Sequence, residues 1–183
     1  MIASFFIQSD NMKSMVPVFL LAFIISSQKM AAQNRVTINK KEYSIQAPAG
    51  WVIDSSKQMG TDLIFFSMLE NTTDQFRENI NVTVHNITAS NTDPAKNMAI
   101  FTGQIKKMMT DAKIEESTII NNGKGIHQKI IYTATQGGSK VKFEQYYFAT
   151  ATKLYIITLT TEPAKFDTYK LTGEEVLNSF TLR

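Results

Sequence analysis

Residues 114–161 read IEESTIINNGKGIHQKIIYTATQGGSKVKFEQYYFATATKLYIITLTT. Four runs rich in β-branched and aromatic residues, 114–121, 125–135, 139–149 and 153–161, are set apart by Asn122-Gly123, Gln136-Gly137-Gly138 and a short link at Thr150 to Thr152. Asn-Gly and Gly-Gly between alternating runs are hairpin chemistry, because they supply the positive φ angles that a tight turn needs. Connections this short join only antiparallel neighbours, since a parallel crossover needs a dozen residues or more. The stretch therefore reads as a four-stranded meander, and it sets the fold class as α+β.

Upstream, Ile80, Val82 and Val84 alternate with Asn81, Thr83 and His85. This is the clearest period of two in the chain, and it implies a strand with one face on a core and the other on something wetter. The apolar run 63–69 before it fits a fully buried strand, with turn residues at 71–75. Val36 and Ile38, then Tyr43 and Ile45, suggest two short strands about Asn39-Lys40-Lys41. Trp51, just after Pro48 and Gly50, is expected to plug a core edge.

Thr92-Asp93-Pro94 announces a helix, with a capping residue and a proline in the first turn. Met98, Phe101, Ile105, Met108 and Ala112 then recur at spacings of three and four, which predicts about five helical turns with these residues toward the core. After Pro163, Phe166, Tyr169, Val176, Leu177 and Phe180 suggest a closing helix. Thr172-Gly173-Glu174-Glu175 has the form of a capping box, and so suggests an interruption in its middle.

The first 33 residues read differently. Lys13, an apolar run from Met15 to Ile25 and the small-residue exit Ala31-Ala32 form a secretory signal peptide, too short to span comfortably as a transmembrane helix. Cleavage is placed near Ala32 or Gln33, and Met12 is favoured over Met1 as the start. A buried hydrophobic helix fits less well, because the segment is apolar on all sides. Residues 34–183 are then one domain of 150 residues, long enough to hold a core without cross-links. The expected location is periplasmic or secreted. The absence of cysteine removes disulfides, thiol chemistry and a lipidated N-terminal cysteine, so no stable membrane anchor is expected after cleavage.

Formal charge is +3 with a pI near 9.0. Lys13, Lys29 and Asp10 account for +1 of it, leaving +2 on the mature part. Its basic residues are scattered, so no nucleic-acid footprint is expected. Asn71, Asn81 and Asn86 each open an Asn-x-Ser/Thr triplet, which matters only in a eukaryotic secretory pathway.

No residue set suggests catalysis, a cofactor or a metal. His85 and His127 stand alone on the polar phase of different strands and read as exposed. Glu115-Glu116 and Glu174-Glu175 are sequence neighbours, which point apart on a regular strand or sit on a charged helix surface. There is no Gly-x-Ser-x-Gly elbow and no glycine-rich phosphate loop; Gly137-Gly138-Ser139-Lys140 reads as a hairpin and Gly123-Lys124-Gly125 as a turn.

Two terminal motifs carry a resemblance. Tyr43-Ser44-Ile45-Gln46-Ala47-Pro48-Ala49-Gly50-Trp51 resembles the strand, proline and Gly-Trp opening of PsbP-like and DcrB-like domains, and Val176-Leu177-Asn178-Ser179-Phe180-Thr181-Leu182 is similar to their closing pattern. The resemblance covers residues 35–183. It implies an α/β/α sandwich, an antiparallel sheet of about six strands flanked by helices on both faces. It brings no catalytic residue, since the family consists largely of accessory, chaperone and binding domains. The expectation is an exported, non-enzymatic binding or accessory protein acting through an unknown protein or envelope component, with monomer and dimer both open. The alternative is a carrier of an apolar small molecule or lipid in a groove between sheet and helix, lined by Phe65, Phe66, Phe101, Met108 and Met109.

Overall fold

The computed structural model describes residues 35–88, 93–123 and 125–183, so the proposed signal segment lies outside the described residues. The order is β1 (Val36–Asn39), β2 (Tyr43–Ala47), β3 (Val52–Asp54), β4 (Leu63–Phe66), β5 (Asn79–Asn86), α1 (Pro94–Met108), β6 (Thr110–Asn121), β7 (Ile126–Gln136), β8 (Ser139–Ala149), β9 (Lys153–Thr161), α2 (Phe166–Ser179) and β10 (Thr181–Leu182). Short 3-10 turns precede β4 and α2. β3 to β9 make an antiparallel sheet in the order β3-β4-β5-β9-β8-β7-β6, and β1-β2-β10 make a second, smaller one. The meander is as expected, and the β7–β8 hairpin turns on Gly137 and Gly138 at φ 59° and 85°. The main sheet has seven strands where about six were expected, because β3 adds a three-residue edge, while the first two strands belong to the small sheet.

Pleat parity sorts the side chains into two cores. On one face Leu63, Phe65, Ile80, Val82, Ile157 and Leu159 meet α2 and the small sheet through Val176, Leu177, Phe180, Tyr43 and Ile45. On the other, Ile130, Tyr132, Val141, Phe143, Tyr147 and Leu154 pack under Phe101 and Ile105 of α1. This is the expected α+β sandwich, with a helix on each face.

The two motifs behind the resemblance hold one another. β10 pairs with β2, setting Thr181 opposite Ser44 and Leu182 opposite Tyr43. The Gln46 N–H donates to Ser179 Oγ at 2.9 Å, and the Ser179 hydroxyl donates to the Val176 carbonyl at 2.6 Å. The Phe180 ring, fully buried, lies 5.1 Å from Tyr43 and 4.8 Å from Phe148. Trp51 plugs the core edge as expected, its ring edge-on to Tyr169 at 6.0 Å.

Both helices differ from their expected form. α1 is capped as expected, the Asp93 carboxylate accepting from the Ala95 N–H at 2.9 Å, but it ends at Met108. Met108 is 79% exposed, and Ala112 reaches the core from β6. The periodic pattern ran on across the helix-to-strand boundary because β6 starts one residue after the cap. α2 is continuous through Thr172-Gly173, with no interruption. Gly173 is there for contact: a Cβ on it would stand 2.5 Å from Leu159 Cδ2, and Leu159 is fully buried. Gly103 of α1 has nothing within 4 Å of the same position.

The two glycines should therefore respond in opposite directions to alanine. Gly173→Ala is expected to destabilise by about 1–3 kcal/mol through overpacking, net of a helix-propensity gain of up to ~1 kcal/mol. Gly103→Ala is expected to stabilise by up to ~1 kcal/mol. Urea unfolding midpoints check both, and a stabilised Gly173→Ala would remove the close-approach account.

Candidate functional site

α1 lies over the β6–β7–β8 side of its face of the sheet. Among the described residues no helix or strand covers the β4–β5–β9 side of that face, and there the register lays polar side chains in rows. Ile64 pairs with Asn81, Asn81 with Thr158, and Thr158 with Gln145. The next row runs Phe66, Asn79, Thr160, Phe143. The floor is a trough of about 390 Å³, with Thr61, Thr83, Met109 and Gln136 at its margins. Among the described residues, none of those lining it is charged. Thr158 and Thr160 are only 5% and 7% exposed, which places hydroxyls at the bottom of a recess and not on an open face.

Part of this floor is pre-set. The Tyr147 hydroxyl donates to Gln145 Oε1, and Gln145 Nε2 donates to Thr158 Oγ1 at 3.0 Å. Gln145 is thus held at both ends, and Thr158 Oγ1, already accepting, keeps its own proton for another acceptor. Asn81 Nδ2 lies 3.5 Å from Asn79 Oδ1, a weak contact that leaves both amides able to serve a ligand. Burial holds the Tyr147 and Tyr132 hydroxyls far above their ordinary pKa, so both stay neutral donors.

The wetter phase of β5, anticipated from Asn81 and Thr83, thus faces this trough. Of the residues expected to line an apolar groove, Phe66 and Met109 border it. Phe65 is buried on the opposite face, Phe101 packs from α1 down onto Tyr147, and Met108 faces solvent. β9 contributes Thr158 and Thr160, a polar phase that reasoning from sequence overlooked; the alternation in Ile156-Ile157-Thr158-Leu159-Thr160 was its signal.

The histidines and paired acids lie elsewhere. His85 is exposed on β5 as expected, with Nε2 3.3 Å from Thr83 Oγ1. His127 is not exposed: at 1% it is buried on the α2 face of β7, stacked on Phe148 at 4.5 Å and beside Tyr146 at 5.2 Å. The imidazole there fills an aromatic layer, and the two histidines sit on opposite faces of the sheet. Glu115 and Glu116 do not point apart, because a bulge between Ile114 and Glu116 breaks the pleat. Glu115 pairs with Lys142 at 2.7 Å and Glu116 with Lys129 at 3.6 Å. Glu174 reaches Lys129 at 3.1 Å, and Glu175 pairs with Arg35. Among the described residues no set of three or more potential ligands could hold a metal ion, and no helix is long and apolar enough to cross a membrane.

Lys129 also meets Glu144 at 3.2 Å, and the Glu144 side chain is fully buried. Burial pushes the Glu144 carboxyl above its ordinary pKa, and Lys129 opposes the shift. Burial works against the Lys129 ammonium, but Glu144 and Glu174 outweigh it and hold its pKa above the ordinary lysine value. One ammonium thus ties β6, β7, β8 and α2 together on the face away from the trough.

No family model matches the chain, and no curated protein matches it. Solved structures do. The chain is similar to cyanobacterial PsbP (CyanoP) from Synechocystis sp. PCC 6803, with a TM-score of 0.61 at 17% identity over 87% of this chain and 99% of that one. The fold is PsbP-like. LpqN, involved in cell envelope biogenesis of Mycobacterium tuberculosis, shares this PsbP-like fold at a TM-score of 0.60 and 11% identity, over 81% of this chain and 90% of that one. PA94 of Pseudomonas aeruginosa, a protein of unknown function, matches with a TM-score of 0.52 and 16% identity, over 76% and 91% of the respective chains. The resemblance drawn from the two terminal motifs holds at the level of fold.

Removing the shared ammonium should expose the charge balance. Lys129→Met strands Glu144 in the core and is expected to cost about 3–5 kcal/mol near neutral pH. Without Lys129 the folded-state pKa of Glu144 climbs further above its unfolded value of ~4.3. The folded variant then binds a proton that the unfolded chain does not. Its stability should fall as pH rises through that window and recover on acidification. Urea titrations on both sides of the window check the slope, and Lys129→Met/Glu144→Gln should lose it.

Proposed function

We propose that this chain is an exported binding or accessory protein that receives its partner, a protein or an envelope component, in the open trough on the α1 face of the sheet. The observation that carries the reading is the uncovered strip at Asn79, Asn81, Thr158 and Thr160. An antiparallel sheet with helices on both faces normally buries its central strands under apolar packing. Here β9 is a central strand, and beside the helix-covered half of the face it carries threonines into a recess that no helix or strand among the described residues covers. Recessed polar groups fixed in a row cost stability unless something uses them.

Support from likeness is of two kinds. The PsbP-like fold is shared with LpqN, involved in envelope biogenesis, and the terminal motifs resemble a family of accessory, chaperone and binding domains. The N-terminal signal reading supports export. A reaction is not part of the proposal, because His127 and the glutamate pairs are engaged in stacking or ion pairs away from the trough, and His85, exposed beside Thr83 at its margin, has no carboxylate among its described hydrogen-bond partners. Carriage of a hydrocarbon chain fits this recess poorly. Covering Asn79, Asn81, Thr158 and Thr160 with lipid would strip water from the donors and acceptors that their mutual contacts leave unused, at about 1–3 kcal/mol for each group so stranded.

Photo-cross-linking in living cells tests the reading. A photoreactive phenylalanine analogue in place of Asn81 is expected to capture a discrete partner outside the cytoplasm, and the same analogue at Gln104, exposed on α1, is not. Equal capture from both positions, or none from Asn81, would reject the trough as the binding surface.

A further inference from the structure

We infer that the ligand of the trough is an uncharged saccharide chain, held by side-chain amides and hydroxyls without any ionic contact. This rests on the trough being the binding surface and adds the chemistry of what fills it.

Charged residues make up 19% of the chain, yet among the described residues none of those lining this recess is charged; Arg77, over the outer Phe66 ring at 5.4 Å, stands at its rim. The contrast with the other large recesses is sharp. One is bordered by Lys40, Lys41, Glu42, Lys57, Asp62 and Lys153, and another by Asp74, Lys140 and Glu162. A phosphate, a carboxylate or an ammonium seated on the floor at Asn81, Thr158 and Gln145 would lose hydration and meet no charged partner among the lining residues, which selects against ionic ligands there.

Asn and Gln amides each offer donors and an acceptor at one planar head, and threonine hydroxyls offer both from one oxygen. A saccharide presents the same mixture, since every hydroxyl both donates and accepts. Asn79, Asn81, Thr158, Thr160 and Gln145 stand on a grid of about 4.8 Å across strands and about 6.8 Å along them. An extended polymer lying across the strands would therefore meet a repeat of polar heads from Asn81 to Thr158 to Gln145. Ile64 and Phe66 at one side, with Phe143 and Tyr132 at the other, give apolar ground for the C–H faces of the sugar rings.

Gln145 is fixed between Tyr147 and Thr158 before any ligand arrives, so its amide plane need not be ordered on binding. Weakly bonded Asn79 and Asn81 complete the other side, free to adjust to hydroxyl configuration. A polypeptide strand would instead seek the free edge of a sheet for its backbone hydrogen bonds, and this recess lies on a sheet face.

The test follows the side-chain amide resonances of the isotopically labelled full chain. The probes are neutral oligosaccharides (cellohexaose, maltoheptaose, mannohexaose and chitohexaose), with inorganic phosphate and a Gly-Ser peptide alongside. At least one oligosaccharide should shift the Asn79, Asn81 and Gln145 side-chain amides saturably, and phosphate and the peptide should not. Asn81→Leu should weaken that binding by ~10-fold or more, the loss of an amide that bonds the ligand.

If no oligosaccharide shifts these amides, or if the peptide or phosphate does so instead, the saccharide inference is overturned. The photo-cross-link at Asn81 separates the two failures. If it persists, the trough remains the binding surface with another ligand class; if it is absent as well, both readings fall together.

Discussion

Everything in this domain hangs on the pairing of β5 with β9. It is the seam that joins the strands preceding α1 to the meander that follows it, and its register runs unbroken from Asn79 opposite Thr160 to Asn86 opposite Lys153. Because a strand has a period of two, this register sends Ile80, Val82, Ile157 and Leu159 together to one face, and Asn79, Asn81, Thr158 and Thr160 together to the other. A slip by one residue would bury the asparagines under α2 and expose the isoleucines. The same pairing therefore builds the main core and composes the trough.

Two further devices keep the α2 face closed while leaving the opposite face partly bare. The chain ends are clasped through β2, β10 and the Ser179 hydroxyl, with Phe180 filling the centre of the aromatic layer. Gly173 lets α2 lie directly on Leu159. Farther along the same face, Lys129 gathers carboxylates from β6, β8 and α2 around one ammonium. The buried carboxylate of Glu144 and its ammonium partner thus lie on the side that α2 covers, and among the described residues none of those lining the trough on the α1 side is charged. That partition makes the two faces chemically different, and it is why the recess on the α1 side selects for uncharged ligands.

Much of this was legible in the sequence, for reasons that are local. Gly137-Gly138 can only make a tight hairpin, and the alternation around Val82 can only be a strand with unlike faces. Asp93-Pro94 starts a helix wherever it falls. What stayed hidden depended on contacts between distant residues. Met108 and Ala112 matched the helical period, but the chain changes structure between them. Thr172 to Glu175 spelled a capping box, but the glycine inside it was selected by the approach of Leu159. His127 looked exposed until its stacking on Phe148 was seen, and Glu115 and Glu116 seemed divergent until the bulge at Ile114 turned them both toward lysines. For the candidate site, each polar phase was visible on its own strand. That β5 and β9 lie side by side, and that α1 stops short of them, are facts of topology that no local pattern carries.

The central claim is that the polarity of the trough serves a ligand and not the fold. The thermal midpoint of Asn81→Leu/Thr160→Val tests it most directly, since both changes keep shape while removing polar heads at two adjacent rows. A midpoint equal to or above that of the parent protein is required, because unused polar groups in a recess carry a desolvation cost that the apolar residues lack. A fall of more than ~4 °C, the equivalent of about 1 kcal/mol in a domain of this size, would show that these side chains hold the structure together and would contradict the account.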